Sequence, residues 1–409
     1  MKKILSFIIA AVMIVCCASP AFAADSGENQ LRFNADGNFT ILHLSDWHTS
    51  YPMPAVQKQF VIEAIAAAQP DLVVLGGDMS EASKEDQPEA VREICSLMVD
   101  AEVPFAITFG NHDYLHDLSI EELFALYKEY GGEYCLSEDE DPALFGCGTC
   151  SIPVYSNDGS RVAYSIYCFD SGCEVMMDYD TYVSDQSKMP AARSEGALVS
   201  HYDSVRPDQI EWYKAKAEEL KEANGGEYVP SIVFQHVIVQ EIFGEFWREA
   251  TECDRDGLMQ FDEKMYRMTA IPNLSSITDG YLMERPCPGY YNYGQLDAMT
   301  ENGEVRAILC GHDHSNSFTV PINGIDIVNT PSVKPHSRLK KIDWGGRVVT
   351  LGEDGSYKSR VITGIELAAN RDSGITDTGA VSRIELVFLR IWKLFADVSM
   401  FFWKILTRI

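Results

Sequence analysis

The chain is short of positive charge: 33 lysines and arginines face 61 acidic residues, a formal net charge of −28. A surface this acidic repels polyanions, so a nucleic-acid duplex, which needs a basic patch to bind, is excluded as a partner. A second Cys-x-x-Cys is missing, so Cys147 and Cys150 lack the partner pair that a four-thiolate zinc knuckle requires. The apolar C-terminal stretch is crossed by charges, which excludes a simple membrane-spanning segment there. No internal repeat is present. Histidine is scarce as well, with nine in 409 residues.

The N-terminus has the plan of a secretory signal. Lys2 and Lys3 precede an apolar run from Ile4 to about Val15, and Ala21-Phe22-Ala23 offers a cleavage site. An uncleaved anchor is the alternative, while Val15 before Cys16 argues against a lipoprotein. Removing residues 1–23 takes away two lysines and no acids, leaving 31 bases against 61 acids and a net charge of −30. Nine cysteines remain, and an exported chain permits disulfides. Cys147 with Cys150 and Cys168 with Cys173 are close enough in sequence to pair locally, and the odd total leaves at least one thiol free. Residues 24–38 read as a polar lead-in, 39–365 as the catalytic domain and 366–383 as a linker. Residues 384–409 form an apolar helix with one polar stripe, Arg383, Arg390, Asp397 and Lys404 recurring every seventh residue. Such a helix suits the membrane surface, and docking against protein suits it equally.

Five of the nine histidines fall in five short stretches. These are Asp46-Trp47-His48, Gly77-Asp78, Gly110-Asn111-His112-Asp113, Gln235-His236 and Gly311-His312-Asp313-His314. Each follows a strand-like apolar run: Thr40–Leu44, Leu72–Leu75, Phe105–Phe109, Ser231–Phe234 and Val305–Leu309. Ala55–Ala68, Pro88–Asp100 and Ile120–Tyr130 have helical periodicity, the last opened by a Ser119/Glu122 capping box. Strands alternating with helices give an α/β fold, in which residues just past several strand ends gather at one edge of the sheet. Residues 131–160 and 174–206 read as irregular, Pro207–Glu222 as a helix, and 240–300 as a wall or lid over the site. Asp170, Glu284, His43, His116, His201 and His336 read as structural or solvated, and Tyr290, Tyr291 and Tyr293 as core packing. Carboxylates, imidazoles and an amide collected at one edge are the donors of a two-metal hydrolase.

The ordered set of motifs resembles the calcineurin-like metallophosphoesterases over most of residues 39–351. Phe169–Gly172, Asp208–Tyr213 and Gly311–Phe318 resemble its purple-acid-phosphatase-like branch. The resemblance implies a two-sheet β-sandwich flanked by helices in four αββα layers. It implies that Asp46, His48 and His314 hold one metal, that Asn111, His236 and His312 hold the other, and that Asp78 bridges them. A metal-bridging hydroxide would then attack a small phosphate ester, with His112 as general acid kept upright by Asp113. Purple enzymes place a tyrosine ligand two or three residues after the bridging aspartate. Here Met79-Ser80-Glu81 follows Asp78, so a colourless protein is expected, with iron, manganese and zinc equally suited. These features imply an exported or extracytoplasmic phosphomonoesterase. A phosphodiesterase acting on nucleotides or lipid headgroups is the alternative enzyme. A surface-anchored binding protein with a relic metal site is the alternative from another class.

Overall fold

The computed structural model describes residues 30–115, 118–178, 198–249, 258–261, 264–268, 276–335, 344–364 and 366–367. The expected signal segment and C-terminal helix, and His116 and His336, lie outside the described residues.

Two sheets dominate. Strands β1 (Asn38–Leu44), β2 (Leu72–Leu75) and β3 (Phe105–Ile107) run parallel. In the second sheet β4 (Cys150–Tyr155) is antiparallel to β5 (Val162–Cys168). A short hairpin, β6 (Glu174–Asp178) and β7 (Leu198–Tyr202), stands apart from both. Next comes β8 (Ser231–Phe234), then a three-stranded sheet of β9 (Trp247–Glu249), β10 (Leu258–Phe261) and β11 (Lys264–Met268). The chain continues through β12 (Val305–Cys310), β13 (Thr319–Ile322), β14 (Ile325–Asn329), β15 (Gly345–Gly352) and β16 (Tyr357–Thr363). The first sheet has the order β16-β15-β1-β2-β3 and the second β13-β14-β12-β8-β5-β4.

Side-chain alternation along the strands builds three cores. Phe39, Ile41, Leu72 and Val74 meet Ile166, Ile232, Phe234 and Leu309 between the sheets. Leu42, Leu44, Val73 and Leu75 point the other way, onto helices α1 (Ala55–Ala68), α2 (Gln87–Asp100) and α3 (Ile120–Gly131). Tyr167, Val233 and Ile308 face α4 (Pro207–Ala223), with α5 (Ile242–Phe246) and α6 (Gln295–Glu301) beside it. The four layers are therefore helix, sheet, sheet and helix. The Ser119/Glu122 capping box is formed at the start of α3.

Three expectations are corrected. Residues 174–206 are not a bare loop, because β6 and β7 lie there and pair antiparallel. Residues 131–160 are not wholly irregular, because β4 alternates buried and half-buried residues as an edge strand does. Nor are the local cysteine pairs made: neither Cys147 with Cys150 nor Cys168 with Cys173 is joined. The pleat turns Cys150 toward Cys168 across the β4–β5 pair, while the Cys173 thiol donates to the Asn111 carbonyl at 3.2 Å.

Candidate functional site

The parallel strands of both sheets end at the same edge, and the five motifs occupy the loops just beyond them. Backbone bonds tie these loops together. The Asp46 amide donates to the Gly77 carbonyl at 3.0 Å, His48 to Asp78 at 2.9 Å and Gly311 to His236 at 3.1 Å. The contacts are close enough to demand glycine: a Cβ on Gly77 would lie 2.6 Å from the Gly110 nitrogen, and one on Gly110 2.3 Å from Asp78 Oδ1. The backbone is strained here as well. Asp46, His48, Asp78 and His312 have φ of 55°, 42°, 55° and 68°, although none is glycine. A left-handed conformation costs roughly 1–3 kcal/mol per residue and gathers at functional sites.

The side chains converge. Asp46 Oδ1 lies 3.9 Å from His48 Nε2, 3.8 Å from His236 Nε2 and 3.4 Å from His314 Nε2. Asp78 Oδ2 lies 3.7 Å from His48 Nε2 and 3.1 Å from His236 Nε2, and the Nε2 atoms of His48 and His314 are 3.0 Å apart. Among the described residues three donor groups emerge, Asp46/His48/Asp78/His314, Asp78/His236/His312 and His48/Glu81/His112; Asp78 joins the first two, and His48 the first and third. Asp78 Oδ2, His236 Nε2 and Asn111 Oδ1 are buried, and none makes a well-directed hydrogen bond. Asp78 Oδ2 and His236 Nε2 approach to 3.1 Å without the alignment of one. Burying such atoms unpaired is costly, and cations among them would satisfy them all. The donor set therefore fits a dinuclear metal site.

Electrostatics point the same way. Burial pulls the His236 imidazole down from 6.5, but Asp78 and Asp46 outweigh it and raise the group to about 10. Burial and His236 together depress His312 to about 3, and burial depresses His48 to about 4 against the pull of Asp46 and Asp78. Without metal, the carboxylate pair thus draws a proton onto His236. That raised value stabilises the metal-free fold most below pH 6.5, and the contribution is lost as pH rises through about 10. A bound cation must displace this proton. Burial also lowers the His314 imidazole, but Asp46 outweighs it and raises the group, so metal titrations in buffers of differing ionisation enthalpy at pH 7 should show at least one proton released per chain.

Asp113 does not do what was expected of it. Its Oδ2 accepts the amides of Asp78 at 2.8 Å and Gly110 at 2.9 Å, and its Oδ1 accepts Met79 at 3.3 Å. No hydrogen bond joins it to His112. Side-chain direction explains the correction: Asp113 turns into the core and pins the Gly77-Asp78 turn to the Gly110 loop. Asp113→Ala should strand three buried amides and lower stability by about 3 kcal/mol or more, measured by denaturant unfolding, with Asp113→Asn milder.

His112 is half-buried beside the donor groups. Its amide donates to Asp78 Oδ1 at 2.7 Å, and its ring meets that of His48 edge-on at 4.7 Å. A cavity of about 240 Å³ opens there, lined by Asp78, Asn111, His112, His312, Asp313 and His314, and also by Tyr202, Glu284, Arg285 and Cys287, so Glu284 faces the site. Among the described residues Arg285 is the one lysine or arginine in its lining. Its segment is locked to the last motif: Asn316 Oδ1 accepts Met283 and Glu284 amides at 2.8 and 3.0 Å, and Asp313 Oδ1 accepts the Cys287 amide at 3.1 Å. Glu81 was also missed as a site residue; its Oε1 stands 3.1 Å from His48 Nδ1 and its Oε2 2.9 Å from Lys334 Nζ. The approach to His48 Nδ1 lacks hydrogen-bond alignment, and Glu81 shares a donor group with His48 and His112; its position three residues past Asp78 was the available signal. Asp170 is structural, accepting the Tyr114 hydroxyl at 2.5 Å and the Cys147 and Gly172 amides at 2.9 Å. His43 is buried against Thr330, and Tyr290 packs in the core.

Comparison with known proteins fits this geometry. A protein of Arabidopsis thaliana named probable inactive purple acid phosphatase 14 is 23% identical over 382 residues, 85% of this chain and 83% of that one. Phosphatase DCR2 of Saccharomyces cerevisiae is 26% identical over 317 residues, 72% of this chain and 47% of that one. A dimetal phosphatase structure from Danio rerio covers 80% of this chain and 98% of its own at 11% identity, with a TM-score of 0.45, too loose a likeness to carry weight. The family model described as calcineurin-like phosphoesterase matches residues 39–316, the span that holds all five motifs, and the chain belongs to that family.

Proposed function

We propose that this chain is an exported, dinuclear-metal-dependent phosphatase that hydrolyses small phosphate monoesters. One observation carries the reading: donor side chains from five loops meet at one sheet edge, with Asp78 shared between two groups. Asp46, His48 and His314 would hold one cation, and Asn111, His236 and His312 the other. When bound, the cations neutralise phosphoryl charge and acidify water near neutral pH. The protein's own residues do the rest. His112, on the cavity wall, delivers a proton to the leaving oxygen. Asp113 keeps the bridging carboxylate's loop in place. Arg285 offers a planar fork to the non-bridging oxygens, of which a monoester presents more than a diester. Arg285→Ala should therefore raise KM for an aryl monophosphate about tenfold and change a bis-aryl phosphate little.

The proposed catalytic domain is 39–365, and 384–409 is proposed to lie on the membrane surface or to dock against protein; vesicle binding of the full chain separates the two. Among the described residues no helix is long and apolar enough to cross a membrane. Iron, manganese and zinc all suit the mixed nitrogen and oxygen donors. The test is hydrolysis of an aryl monophosphate beside a bis-aryl phosphate, after reconstituting metal-free protein with each metal in turn. Faster diester turnover would favour the phosphodiesterase reading. The name of the Arabidopsis relative favours a second reading, a surface-anchored binding protein with a relic site. Absence of turnover with every metal would select it.

A further inference from the structure

Cys150 and Cys168 are directly opposite each other in the antiparallel β4–β5 register. Both side chains point between the two sheets, 1% and 0% exposed, and their thiols are in contact. Residues opposite one another in an antiparallel pair have Cα atoms about 4.5–5.5 Å apart. A disulfide spans about 4.4–6.8 Å, so a bond here needs no backbone movement. The competing partners are engaged elsewhere: Cys147 packs in the helix-side core and the Cys173 thiol donates to Asn111. Strand β4 is the edge of its sheet, held there by β5 alone.

We propose that Cys150 and Cys168 form a structural disulfide that fastens this edge strand. An external disulfide is the oxidant. One cysteine thiolate attacks it to give a mixed disulfide and release a thiol. The second thiolate then displaces the remaining thiol, so two protons and two electrons leave the pair. Contact with Cys150 and burial raise the Cys168 thiol far above its usual range. Burial of both side chains shields the pair from reductant once the sandwich has closed. Its purpose is stability, since β5 leads into Phe169 and Asp170, whose bonds to Phe234 and Tyr114 brace the site loops. The oxidising compartment follows from the exported reading above, whereas the test uses purified protein.

The protein is refolded in a glutathione redox buffer, alkylated in denaturant and digested without reduction. A peptide joining Cys150 to Cys168 is expected. Wild type reduced in denaturant and refolded with excess thiol should melt about 5–10 °C below the oxidised wild type, and the same treatment should leave the midpoint of C150A/C168A unchanged. Alkylation of both cysteines, or linkage of either to another cysteine, overturns the proposal whether or not the variant folds. Recovery of the protein from the cytoplasm alone would remove the export reading and leave the refolded cross-link standing.

Discussion

His112→Ala protein should bind metal as the wild type does and hydrolyse an alkyl phosphate roughly 10²–10⁴-fold more slowly. The imidazole lines the cavity but belongs to neither group built on Asp78. It is held from two sides, by its amide on Asp78 Oδ1 and its ring against His48. An alkoxide leaves poorly without a proton, whereas a nitrophenolate needs none, so the loss should be far smaller with the aryl ester. This contrast separates a proton donor from a residue that merely shapes the pocket. Equal losses on both esters, or unchanged alkyl turnover, would remove His112 from that role.

Asp78→Asn should have the larger effect. Asp78 joins the Asp46/His48/His314 donors to the His236/His312 donors, and it stands 3.1 Å from His236 and 3.7 Å from His48. An amide offers one neutral oxygen where the carboxylate offers two charged ones, so it cannot serve both cations. The variant should hold at most one cation by elemental analysis and lose roughly 10³-fold or more in kcat/KM. Because Asn is nearly isosteric, the fold should survive. Retention of two cations with near-normal activity would show that Asp78 bridges nothing.

Much of this was legible in the sequence. Leu72–Leu75 and Ala55–Ala68 occur as read, since a short apolar run and a 3.6-residue period leave little choice. The five motifs were legible because each follows a strand, and parallel strands deliver their ends to one place. Side-chain direction was not legible. Asp113 looked like a partner for His112 because it is next in sequence, but the backbone turns it toward three amides. Proximity in the chain misled the cysteine reading in the same way, since the pleat sets Cys150 opposite Cys168 and not beside Cys147.

The remaining gaps share a cause. Strand β4 carries Pro153, which an edge strand tolerates but which breaks a propensity reading. Arg285 shows no motif of its own and reaches the site only across long sequence separations, whereas Glu81 follows Asp78 by three residues and is marked by its approach to His48. The left-handed backbone at Asp46, His48, Asp78 and His312 is likewise invisible in sequence, although Asp and His tolerate it better than most residues.

The proposed centre holds two cations per chain, sharing Asp78. Anomalous diffraction from crystals of the manganese-loaded protein tests it most directly. Two peaks should appear roughly 3.5–4 Å apart, on either side of the Asp78 carboxylate. One peak, or two that do not both contact Asp78, would contradict it.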